Sequence, residues 1–319
     1  MAFSFMDASG ALGKVLTVLS FAKANMPSNA PQGASIQIKY GLGNASSVGM
    51  GGHVDAIYAF DYNNNYLGTS QGCSEPAGGV CTKTIDQINP GVESDFISIA
   101  NCNDASCLSW VAVSMNDNSP GGAWTGDVGQ QCGQKWYYGF QVAGHYPDGS
   151  DWRPACTWLD GDHTDGIANA AFKFAVRAYG DLSNQTVAND AACSSTTWGP
   201  DDAPIGDVPG NPPRAQHSPP ASAPAPRITW MEKRLIVSKL AGHTAQYLCE
   251  SETSYGPVLV GVDDMFCDMS AKLLLPLCSP GGATDCVEVD MESQIVTIKE
   301  SFGRHSAKKS SKSYDIVSE

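Results

Sequence analysis

Ser35-Ile-Gln-Ile-Lys-Tyr40 alternates apolar and polar residues, as a half-buried β-strand does. A glycine-rich stretch (41–52) leads to Val54-Asp-Ala-Ile-Tyr-Ala-Phe60, and Asp61-Tyr-Asn-Asn-Asn-Tyr66 then supplies turn chemistry before a return strand over 66–70. Asn and Asp suit such a turn because they tolerate left-handed backbone and bond their own main chain. Working outward, further strands are expected at 83–88, 96–100, 108–114, 136–142, 155–159 and 172–178, each bounded by Gly, Pro, Asn or Asp. Residues 167–174 are open to a short helix instead. Short strands at this spacing predict a mainly β fold, an antiparallel sandwich or jelly roll, rather than alternating βαβ units. The segments 116–122 and 144–150 read as long surface loops.

Eleven cysteines fall on either side of a strip, residues 200–226, that is rich in Pro, Ala and Ser. Cys73, Cys81, Cys102, Cys107, Cys132, Cys156, Cys249, Cys267, Cys278 and Cys286 are the disulfide candidates, and the odd total leaves one thiol free or shared between chains. No Cys-x2-Cys pair occurs, so metal knuckles are disfavoured. This usage points to an oxidising, extracellular compartment. The expected organisation is a β-sandwich domain over 1–193 opening with a helix, and a linker over 194–227 of semi-rigid, polyproline character. A small disulfide-stapled module over 228–303 follows, then a basic disordered tail over 304–319. The stretch 230–240 in that module reads as strand or helix. Two disulfides there contribute about 3 kcal/mol each by loop closure, and without them no stable fold is expected.

Near the start, Leu12, Val15, Leu16 and Leu19 share one face of an amphipathic helix, with Asp7 or Ser9 before it and Pro27 beyond. Ala22-Lys-Ala24 resembles a cleavage site, but Lys14 interrupts the apolar stretch, so the expectation is a helix, in a chain that is already mature or lacks its leader. Charged residues are 16% of the 319, below the roughly 25% of average soluble proteins, and hydrophobic residues at 42% support a core. A net charge of −14 repels phosphate backbones and disfavours nucleic acid as a partner. No run of eighteen apolar residues predicts a membrane-spanning helix. Asn44-Ala-Ser46 and Asn184-Gln-Thr186 are glycosylation sequons. Oligomeric state is not legible.

Two clusters carry the chemistry. Asp160-Gly-Asp162-His163-Thr-Asp165 places three carboxylates on a turning backbone, an oxygen-rich set of the kind Ca2+ uses, with Asp160, Asp162 and Asp165 as ligands and His163 outside. Its spacing is not that of an EF-hand loop, and the plain alternative is a solvated Asp/Gly turn. The second cluster is aromatic. Trp124, Trp136, Tyr137, Trp152 and Trp158, beside Asp and Asn, could stack on the apolar faces of sugars, or else anchor core and loops. Carboxylate pairs such as Asp127 with Asp160, or Glu93 with Asp95, offer an acid and a base for glycoside cleavage. No Gly-x-Ser-x-Gly elbow exists, and neither His53 nor His145 shows a ligand partner at helical or strand spacing. No catalytic residue is assigned.

Several runs resemble a group of secreted, cysteine-rich proteins of filamentous fungi that carries no assigned activity. They include Gly52-His-Val-Asp-Ala-Ile-Tyr-Ala-Phe-Asp-Tyr-Asn, Gly121-Gly-Ala-Trp-Thr-Gly-Asp-Val-Gly, Cys156-Thr-Trp-Leu-Asp-Gly-Asp-His and Phe266-Cys-Asp-Met-Ser. The resemblance implies export. Leu108-Ser-Trp-Val-Ala-Val with Asn116-Asp-Asn and Trp124 is similar, at the level of fold, to PLAT-type sandwiches. Together these features lead us to expect a non-catalytic binding or surface protein that meets a glycan or cell wall through its aromatic loops. A carbohydrate-active hydrolase or lyase, and a secreted toxin or effector with a protein partner, are the alternatives.

Overall fold

The computed structural model describes residues 33–41, 49–116, 119–146, 148–210, 227–281, 284–302 and 306–318. The expected N-terminal helix and Asn44 lie outside them. The chain divides into two compact units, Met1–Pro226 and Arg227–Glu319, and it is mainly β.

In chain order the first unit contains β1 (Ser35–Tyr40), β2 (Gly52–Phe60), β3 (Tyr66–Glu75), β4 (Val80–Thr84), β5 (Asp86–Gln87), β6 (Phe96–Asn101) and β7 (Ser106–Ser114). There follow β8 (Gly122–Thr125), β9 (Trp136–Tyr137), β10 (Gly144–His145), β11 (Asp151–Trp152), β12 (Cys156–Leu159), β13 (Ala171–Ala175) and β14 (Thr196–Gly199). One sheet runs β4-β1-β7-β12-β9, with β8 also paired to β7; the other runs β14-β13-β6-β2-β3-β5. Every pairing is antiparallel. Ile36, Ile38, Val111, Val113 and Trp124 from the first sheet share one buried core with Ile57, Ile97, Ile99, Phe172 and Phe174 from the second, which makes the unit a β-sandwich.

The expectation of half-buried strands is corrected at β1, which is buried at all six positions. Its core face carries Ile36 and Ile38. Its other face is covered because the chain between β8 and β12 folds back over the sheet, where Trp152 packs with Trp110, Ala112 and Ala123. Gly144–His145 and Asp151–Trp152 pair as a short β10–β11 hairpin, and the described residues between them are exposed, as a surface loop should be. A helix, Gly126–Gln131, starts this return and presses on β12 so closely that a Cβ at Gly129 would overlap Thr157.

The expected linker is also corrected at its first end. Thr196–Gly199 completes the second sheet as β14, because Thr-Thr-Trp suits a strand and Trp198 is 7% exposed in the core. Residues 200–210 continue in close contact with the unit. Ile205 O accepts from Lys173 Nζ at 3.0 Å, Gly206 O accepts from Asn64 Nδ2 at 2.8 Å, and Gly210 N donates to Ser194 O.

The second unit contains β15 (Arg234–Val237), β16 (Val258–Val260), β17 (Met265–Asp268), β18 (Leu273–Pro276), β19 (Cys286–Asp290), β20 (Ile295–Phe302), β21 (Ser306–Ser313) and β22 (Asp315–Ser318). They form a sheet β18-β17-β16-β15-β22, in which β15 is parallel to both its neighbours, and an antiparallel sheet β19-β20-β21. The stretch 230–240 holds both alternatives, a helix at Thr229–Lys233 and then β15. The expected disordered tail is corrected: 306–313 pairs along β20, and Tyr314 and Val317 are buried. Main-chain pairing does not require apolar side chains, and lysines on an edge strand deter further pairing.

Five disulfides brace the units. Cys73–Cys81 ties β3 of one sheet to β4 of the other, and Cys107–Cys156 joins neighbouring β7 and β12. Cys132–Cys193 closes the widest loop. In the second unit, Cys249–Cys267 fixes the helix Ala245–Glu250 to β17, and Cys278–Cys286 closes a short loop. Cys193 is therefore paired, and Cys102, expected in a disulfide, is the free cysteine. No described helix is long and apolar enough to cross a membrane.

Candidate functional site

The aromatic cluster does not form a platform. Trp124, Trp136, Tyr137, Trp152 and Trp158 are each at most 2% exposed. Trp124 stacks on Phe172 with ring centroids 4.2 Å apart in the sandwich core. Trp136 meets Tyr138 edge-on, and Trp152 donates from Nε1 to Asp127 Oδ2 at 3.2 Å beneath the β8–β12 return. The correction has a simple cause. A sequence rich in Gly, Asp and aromatic residues reads the same whether its rings face water or lie under a fold-back layer.

The Asp160–Asp165 turn is likewise not a metal cage. Asp160 is fully buried and Asp162 is exposed. Among the described residues, the carboxylates of Asp160, Asp162 and Asp165 do not converge as a set of three. Asp162 caps its own turn, accepting from Thr164 N and Oγ1 at 3.1 and 2.8 Å. Asp160 Oδ2 accepts from Asp165 N at 3.2 Å, while Oδ1 has no hydrogen-bond partner. Burial, helped by the neighbouring Asp162 and Asp165 charges, pushes the Asp160 carboxyl up to about 6. His163, left-handed at φ 58°, turns its Nδ1 to Ile167 O at 2.9 Å. Asn184 is exposed on the helix Ser183–Ala188, and the Thr186 hydroxyl of its sequon donates to Ala178 O at 2.8 Å.

What the fold does assemble is His53, Asp55 and Cys102. One ligand atom from each lies within 4.8 Å of the others, and no other such trio occurs among the described residues. His53 and Asp55 sit two apart near the start of β2, so their side chains leave on the same side. Cys102 follows β6, the strand paired with β2, and its N–H donates to His53 O at 3.2 Å. Gly161 N in turn donates to Cys102 O at 2.8 Å. The neighbouring Asn101 amide is buried, holding Cys102 O, Asp104 O and Leu159 O from Nδ2. At the other strand, His53 N donates to Ser106 Oγ at 2.9 Å, an approach that a side chain at Gly52 would block.

The imidazole is oriented as well as placed. His53 Nδ1 meets Ser74 Oγ at 2.5 Å, across the β2–β3 register, while Nε2 faces Asp55 Oδ1 at 3.9 Å. Metal-ligating histidines are commonly held in this way through their second nitrogen. The His53 and Asp55 side chains are 40% and 54% exposed, so the trio opens to solvent. A thiolate, an imidazole and a carboxylate with a position left open are ligands that zinc accepts.

This site escaped the sequence. His53 was expected to lack a partner at strand spacing, yet His53-x-Asp55 is such a spacing. The odd cysteine was the second clue. Which thiol it was could not be known before the pairing of the other ten. No protein-family model matches the chain, and no curated protein matches it.

Proposed function

We propose that the chain is a secreted, disulfide-braced, non-catalytic binding or surface protein whose first unit holds a divalent transition metal, with zinc as the reference ion, at His53, Asp55 and Cys102. The convergence of the one free cysteine with a histidine and a carboxylate carries this reading. Five disulfides and the lack of a long apolar helix among the described residues support an extracellular setting. A lone thiol in an oxidising compartment is exposed to oxidation, and coordination as thiolate protects it. The five rings expected to stack on sugars are buried and lend no support to a glycan site there.

In such a site Cys102 would supply the thiolate, His53 Nε2 the imidazole and Asp55 a carboxylate oxygen, with Ser74 fixing the ring. The test is titration of the full chain, disulfides intact and Cys102 reduced, with Zn2+ by calorimetry and with Co2+ by absorption. Equimolar uptake and a thiolate-to-cobalt charge-transfer band are expected. Cys102→Ser should abolish the band, and Ser74→Ala should weaken binding about 10-fold or more. Alkylation of Cys102 by iodoacetamide at the same rate with and without zinc would overturn the assignment.

A further inference from the structure

Lys173 is the strangest buried group in the first unit. It lies in the middle of β13 with its side chain fully buried on the outer face of the second sheet. The alternation of the strand accounts for the direction, since Phe172 and Phe174 take the core face. Lys173 Nζ sits 3.7 Å from the Phe60 ring centroid and 5.6 Å from that of Phe96, and residues 200–210 pass over it. It donates to Ile205 O at 3.0 Å and to Asn64 Oδ1. No carboxylate lies within ion-pair distance of it among the described residues. Ser98, its cross-strand neighbour, is buried and has no hydrogen-bond partner for its hydroxyl.

Asn64 is held just as firmly. It occupies the β2–β3 turn at φ 65°, and its Nδ2 donates to Gly206 O at 2.8 Å. That bond turns Oδ1, and with it Cγ, toward the amine. An amine buried against two aromatic rings and the carbon of a half-buried carboxamide are thus held side by side.

We propose that Lys173 and Asn64 join in an intramolecular isopeptide bond, Lys173 Nζ to Asn64 Cγ, formed by the folded chain itself. Neutral Nζ adds to Cγ, the Cγ–Nδ2 bond then breaks, and Nδ2 departs as ammonia with a proton from Nζ. Atoms and electrons balance without an oxidant, reductant or cofactor. Burial pushes the Lys173 ammonium down to about 8, so the nucleophilic form is within reach near neutral pH. Fixed proximity supplies the rest, because preset geometry removes the part of the barrier that comes from bringing two free groups together. The bond would lock the β2–β3 turn to β13, two strands away in the sheet order β13-β6-β2. Residues 200–210, which pass over Lys173, would then lie across a cross-linked sheet.

Intact mass of the denatured, reduced full chain tests this. The expected mass is that of the sequence less one ammonia, with fragmentation yielding a branched peptide joined at Lys173 and Asn64. Lys173→Arg should restore the full mass. Should that variant fail to fold, Asn64→Gly keeps the left-handed turn and should restore it equally. A wild-type chain at full sequence mass after prolonged incubation overturns the proposal and leaves a hydrogen-bonded clamp. So does an ammonia loss that persists in Asn64→Gly.

Discussion

The first unit packs Trp124, Phe172, Phe174 and Tyr179 between two sheets, with a further layer over one outer face. The second gathers Leu235, Val258, Phe266, Val296 and Tyr314 over a smaller core and ties its main helix down through Cys249. Both are mainly β and both carry disulfides, yet the same bond has a different task in each. In the first unit apolar burial supplies most of the stability, and of its three cross-links Cys73–Cys81 sets sheet against sheet. In the second, burial alone falls near the margin at which small domains stay folded, and the cross-link makes the difference.

The largest single loss is expected within the first unit. Trp124→Ala removes a fully buried ring stacked on Phe172 and should cost about 3–5 kcal/mol. Urea unfolding followed by hydrogen exchange should show the sandwich weakened and the second unit unchanged. Equal weakening of both would remove the distinction. Next comes Cys249→Ser with Cys267→Ser, which deletes the bond closing 18 residues and should cost about 3 kcal/mol. That is enough to strip exchange protection from β16 to β18 while the sandwich holds. Retained protection would mean that the smaller core suffices by itself.

The smallest expected effect concerns pH. The Asp160 carboxyl is raised in the folded state to about 6 from an ordinary 3.8. Folding therefore loses stability as pH rises through that window, since the unfolded chain ionises first and the folded one must follow at a cost. Asp160→Asn removes that cost while keeping an acceptor for Asp165 N. The variant should match the parent below pH 3.8, gain on it through the window and melt higher by a few degrees above about 6, by calorimetric scans. An advantage that persists undiminished below that window would point to a packing effect instead.

Much of the sandwich was legible. Alternation located β1, and short runs bounded by Gly, Pro, Asn or Asp located β2, β6, β7 and β12. β8 and β14 were missed, being four residues each and set among turn formers. β21 was missed because an edge strand of Ser and Lys looks like a solvated tail. The parallel placement of β22 on β15 joins segments about eighty residues apart, and no local pattern encodes it.

By itself the sequence determined the β class, the breadth of disulfide bonding and the region in which a proline-rich strip separates two cysteine blocks. Composition and short-range period suffice for these. Only the tertiary structure decided which thiol stays free, that Trp124, Trp136, Trp152 and Trp158 lie inward, and that His53, Asp55 and Cys102 meet. Those outcomes depend on strand order and on what covers each sheet, and residues far apart in the chain share no local periodicity that could announce their contact.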